Sequence, residues 1–228
     1  MPNYAISPPP VVTLPIEGSD TRFPVRRVYC IGRNYAAHAI EMGHDPNREA
    51  PFFFQKNPNN LTTGDTFPYP PQTSDVHHEI EMIVALKSGG KNISLDQALD
   101  HVWGYGLGLD MTRRDLQGVA KEMGRPWEIG KAFEDSAPVS ALRPTSEVGH
   151  PSSGLVQLKV NGKPKQTGDL NQMIWKVPEM ISYLSDFFEL AAGDVIMTGT
   201  PSGVGPVVRG DVMECHVEGV GNLTVTVV

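Results

Sequence analysis

"DVHHEIEMIVALK", from Asp75 to Lys87, sets two carboxylates into a mostly apolar run. It reads as a strand long enough to sit centrally in a sheet. A strand alternates its faces, so Glu79 and Glu81 point the same way, with His77 in register behind them. That face is either open to water or has something positive seated on it.

On its N-terminal side, "VRRVYCIG" (25–32) and "PFFFQK" (51–56) read as short strands. The pattern from Tyr35 to Met42 predicts a helical turn or two, stopped by Gly43. "SLDQALDHVWGYGLGLD" predicts a helix from Ser94 leading into a strand that ends at Asp110. Thr112 with Asp115 has the pattern of an N-cap opening a helix through Met123. "LVQLKVNGK", "DVIMTG", "VMECHV" and "LTVTVV" are further strands bounded by glycine or asparagine turns. Residues 1–24, rich in proline, read as an extended arm, and 25–228 as one strand-rich α+β domain without repeats.

Composition narrows the function classes. The formal net charge is −7, from 19 Lys and Arg against 26 Asp and Glu, with no basic run, which argues against nucleic acid or an anionic membrane as partner. No stretch approaches a membrane span, and the start of the chain lacks the pattern of a signal peptide. The two cysteines, Cys30 and Cys215, lie in apolar strand-like runs and fit reduced core thiols of a cytoplasmic protein.

Three constellations can carry chemistry. Glu79, Glu81 and Asp110, the last closing the glycine-rich "GYGLGLD", offer oxygen-only ligation that suits Mg²⁺ or Mn²⁺, with Ca²⁺ as a substitute. A solvated strand face accounts for the two glutamates as cheaply. His38 and Glu41, three apart in "GRNYAAHAIEMG", share a helix face, as a water-activating pair, a pair of metal ligands or two surface residues would. "GDVIMTGTPSGVG" ends a strand in a turn around Thr200 that can aim N–H groups and a hydroxyl at a carboxylate, or is simply tight. Lys131, Arg114 and Gln117 are polar residues near strand ends, either solvated or in contact with a ligand.

Taken in order, "GRNYAAHAIEMG", "HHEIEMIVAL", "GYGLGLDMTRRDLQ", "GRPWEIGKAFEDSAPVS" and "GDVIMTGTPSGVG" resemble the fumarylacetoacetate hydrolase family, in particular its short acylpyruvate and fumarylpyruvate hydrolases. The resemblance implies a mixed β-sandwich roll, a homodimer, and Glu79, Glu81 and Asp110 as ligands of Mg²⁺ or Mn²⁺. It implies His38 and Glu41 as the water-activating dyad, on a short helix that orders as a lid over ligand. It also implies that Lys131, Arg114, Gln117 and Thr200 hold the substrate's carboxylate and oxygens, where a hydrogen bond from Lys131 can stabilise a developing enolate. One departure is "FFFQKNPNNL", where Asn57 separates Lys56 from Pro58 while many relatives have Lys-Pro.

The implied reaction is hydrolysis of the C–C bond of 2,4-diketo acids, foremost fumarylpyruvate to fumarate and pyruvate in the gentisate branch of aromatic degradation. Arg33, Arg125 or Lys56 can pair with the distal carboxylate, and Trp127 with Phe52, Phe53 and Phe54 can form an apolar wall or simply core. Oxaloacetate decarboxylation or dienoate isomerisation is the competing chemistry. A non-catalytic protein binding a metal or a small acid is the reading from another class.

Overall fold

The computed structural model describes residues 3–36 and 50–228. Within the central run the strand Ile80–Leu86 is buried along its whole length, which places it inside a sheet covered on both faces. That sheet has six strands, in the order Arg143–Pro144, Val102–Leu109, Ile80–Leu86, Asp194–Met197, Arg27–Gly32 and Phe52–Lys56. Only the Asp194–Met197 and Arg27–Gly32 pair runs parallel, so the sheet is mixed.

One face carries Met82, Val84, Leu107 and Ile196 against a second, five-stranded sheet that contributes Val156, Leu158, Met213 and Val217 to the same core. Helix Val177–Phe187 closes this core with Val177, Met180, Ile181 and Leu184, the spacing of one helix face, and Pro178 suits its first turn. The opposite face carries Cys30, Ile83, Ala85, Val195 and Met197. Both cysteines are buried free thiols. This is the strand-rich α+β fold that the sequence predicts, in the sandwich form that the resemblance implies.

The proline-rich start is more than an extended arm. Thr13–Ile16 and Ser19–Pro24 pair as an antiparallel hairpin, and its Leu14 and Phe23 are buried in the second core. The expected helix from Ser94 is reduced to a 3₁₀ turn at Ala98–His101, because the chain enters the sheet at Val102. Thr112 is not an N-cap. It lies in a short strand, Thr112–Arg113, its hydroxyl donates to the Asp110 carbonyl, and helix Arg114–Glu122 starts after it with Arg113 at the cap position. Asp115 instead accepts from the Thr73 hydroxyl and the Leu116 N–H.

The glycines of "GYGLGLD" admit neighbouring parts of the chain, backbone at Gly104 and side chains at Gly106 and Gly108. A Cβ at Gly104 would collide with the Arg143 carbonyl oxygen, and one at Gly106 would stand 2.9 Å from Leu142. Gly104→Ala is therefore expected to cost at least the upper end of the about 1–3 kcal/mol typical of overpacking, read as a lower Tm. An unchanged Tm would show that the edge strand at Arg143 yields freely.

Candidate metal centre and active site

The strand is interrupted at the first carboxylate. Val76–His78 pairs with Thr112–Arg113 and Gly205–Val207 in a small separate sheet, and Ile80 opens the central strand, so Glu79 sits in the break. Glu81 lies opposite Gly108, and the Asp110 N–H donates to the Glu79 carbonyl at 2.8 Å. Antiparallel register thus turns a local Glu-x-Glu pair and a distant aspartate into one cluster, whose ligand oxygens all lie within 4.8 Å of one another. All three carboxylates are buried.

Cations surround two of the three. Lys131 Nζ donates to Glu79 Oε2 at 2.8 Å and to Asp110 Oδ2 at 2.6 Å. Burial works to lower the Lys131 ammonium, but Asp110 and Glu79 outweigh it and its pKa is raised. Arg114 bonds Glu79 Oε1 through Nη2 and Gln117 Oε1 through Nη1, while its Nε faces His77 Nδ1 at 3.3 Å. His77 in turn contacts Asp75 at 2.9 Å, so the imidazole behind the glutamates steers the arginine. Lys56, for which the sequence leaves the role open, is buried 2.9 Å from Asp110 Oδ1 and donates to the Lys131 carbonyl and to Ser136 Oγ.

Glu81 differs. Its partner is the Gly199 N–H at 2.8 Å, and no cationic side chain pairs with it among the described residues. Burial, then the charges of Asp110 and Glu79, push its pKa well up. Asp110 Oδ1, despite its contact with Lys56, makes no bond of hydrogen-bonding geometry among the described residues. A buried carboxylate without a cation, beside an oxygen short of a hydrogen bond, in an oxygen-only donor set, fits Mg²⁺ or Mn²⁺.

The cluster opens into a cleft lined also by Arg33, Gln117, Lys121, Thr200, Phe52 and Trp127. Phe52 meets Trp127 edge-on at 5.2 Å, and the Arg33 guanidinium lies 5.1 Å from the Phe52 ring centre, so those aromatics form a wall here. Phe53 packs instead with Tyr183 and Phe188 on the far core. Arg125 is exposed and does not line the cleft. Lys121 is a cleft residue that the sequence reading passes over, although its spacing from Arg114 and Gln117 puts it on their helix face. His38 and Glu41 lie outside the described residues.

A family model described as fumarylacetoacetate (FAA) hydrolase C-terminal matches residues 27–228. The chain belongs to the fumarylacetoacetate hydrolase family. Among solved structures of this family, fumarylpyruvate hydrolase from Pseudomonas aeruginosa in complex with Mn²⁺ and pyruvate is 54% identical, with 99% of each chain covered and a TM-score of 0.97. A fumarylpyruvate hydrolase of Ralstonia sp is 44% identical over 80% of this chain and 95% of its own. The mitochondrial oxaloacetate decarboxylase of Dictyostelium discoideum is 41% identical over 85% of this chain and 89% of its own. Family membership is therefore compatible with hydrolysis and with decarboxylation. Among the described residues no helix is long and apolar enough to cross a membrane.

Proposed function

We propose that this chain is a Mg²⁺- or Mn²⁺-dependent hydrolase of 2,4-diketo acids that cleaves fumarylpyruvate to fumarate and pyruvate. The observation that carries the proposal is the buried triad Glu79, Glu81 and Asp110 opening on Arg114, Gln117 and Thr200, in a chain 54% identical to a fumarylpyruvate hydrolase over nearly its whole length. Glu79, Glu81 and Asp110 would hold the cation, which when bound supplies Lewis-acid stabilisation to the substrate's oxygens.

The chain's own residues do the rest. His38, oriented by Glu41, takes a proton from water, and the hydroxide adds to the distal carbonyl carbon. Collapse of that adduct breaks the C–C bond, leaving fumarate and a pyruvate enolate that is then protonated at carbon. The Lys131 ammonium donates toward the enolate oxygen as charge builds there. Arg114, Gln117 and Thr200 hold the pyruvyl end. Arg33 and Lys121, which also line the cleft, supply positive charge for the second carboxylate.

The identity to an oxaloacetate decarboxylase favours a second reading, in which the same residues stabilise an enolate formed by loss of CO₂. Fumarylpyruvate, acetylpyruvate and oxaloacetate offered side by side separate the two. The proposal expects fumarylpyruvate to have the highest kcat/KM, with fumarate and pyruvate in equal amounts. Turnover of oxaloacetate alone would replace it with the decarboxylase, and saturable binding without turnover of any of the three would leave a binding protein. The functional unit we propose is a homodimer, to be checked as a sedimentation mass of two 24.9 kDa chains.

A further inference from the structure

Gln166 belongs to the strand Lys163–Asp169 of the five-stranded sheet, yet its side chain is wholly buried beside the active-site cleft. Its orientation is fixed by groups that have no choice of role. The Ile80 N–H can only donate, and it meets Gln166 Oε1 at 3.1 Å. The Pro201 carbonyl can only accept, and it meets Gln166 Nε2 at 2.8 Å. His78 Nδ1, 2.9 Å from the same Oε1, must therefore carry its hydrogen.

The second amide hydrogen then has one destination, Thr200 Oγ1 at 2.7 Å. A hydroxyl that accepts from Gln166 still has its own hydrogen to give, and no acceptor for it is found among the described residues. Thr200 lines the cleft beside Glu79, Glu81 and Asp110. We infer that Gln166 is a positioning residue: it spends its amide on Thr200 Oγ1 and so commits the Thr200 hydroxyl to donate to a carboxylate or keto oxygen of the bound 2-keto acid. It also ties the break at Glu79–Ile80 to the Thr200–Pro201 turn, so both edges of the cleft are set from the second sheet. This inference deepens the proposed function and rests on it for the class of ligand.

The test is a double-mutant cycle read as pyruvate affinity of the Mn²⁺-loaded protein by calorimetry. Gln166→Glu keeps the two acceptor bonds from Ile80 and His78 and gives up the amide hydrogens, and Thr200→Val removes the hydroxyl. Each single change is expected to weaken pyruvate about tenfold, the worth of a hydrogen bond to a charged group, and the double variant to be no weaker than Thr200→Val. Wild-type affinity in Gln166→Glu, or about a hundredfold loss in the double variant, would overturn the inference, because a purely structural glutamine acts additively. Should the Gln166 variants fail to fold, Thr200→Ser decides: affinity within about twofold of wild type is expected, since hydroxyl and amide bond both remain, and a loss equal to that of Thr200→Val would overturn the donor assignment. Absence of pyruvate binding by the wild type would instead overturn the functional reading itself.

Discussion

Asp110→Ala is expected to lose Mn²⁺ binding and to lower kcat on fumarylpyruvate by about three orders of magnitude, the several kcal/mol that a Lewis acid contributes. The same substitution is expected to destabilise the fold. It strips the carboxylate shared by the buried ammoniums of Lys131 and Lys56, and leaving a buried charge unpaired costs about 3–5 kcal/mol. Asp110→Asn keeps the shape and loses the charge, so its Tm should fall less while its metal affinity falls as far. Calorimetric Mn²⁺ titration beside thermal unfolding checks both parts. Wild-type Mn²⁺ affinity in Asp110→Ala would remove this residue from the ligand set.

The second large effect concerns the proposed base. His38→Ala is expected to lower hydrolysis about 10²–10⁴-fold, the usual contribution of a positioned general base, while leaving Mn²⁺ affinity unchanged because Glu79, Glu81 and Asp110 all remain. Single-turnover hydrolysis and metal titration on one preparation separate the two readouts. If the variant no longer bound Mn²⁺, His38 would be a ligand and the dyad reading would fail. Retention of oxaloacetate decarboxylation in the same variant would show that enolate chemistry proceeds without water activation.

What was legible in the sequence follows from which contacts are local. The two-residue period of a strand leads to the expectation that Glu79 and Glu81 share a face, although only Glu81 lies within Ile80–Leu86, and the burial of that strand follows from its apolar run. The break at Glu79 was not legible, because what holds it is a side chain of the other sheet, Gln166, nearly ninety positions away. The place of Lys56 is hidden from the sequence for the same reason. The Asn57 insertion is a local cue that casts the lysine as doubtful, whereas its partners Asp110, Lys131 and Ser136 come from elements that only the folded sheet assembles. Helix Val177–Phe187 was available to periodicity, with Val177, Met180, Ile181 and Leu184 on one face, and the hairpin Thr13–Pro24 was obscured by prolines that read as an extended strap.

The most direct test of the central claim is turnover of fumarylpyruvate by protein stripped with EDTA and then titrated with Mn²⁺. No turnover is expected in the stripped protein, and activity should rise in proportion to Mn²⁺ until one ion is bound per chain, with fumarate and pyruvate appearing in equal amounts. Full turnover in the stripped protein, or Mn²⁺ bound at that stoichiometry without cleavage of the diketo acid, would contradict it.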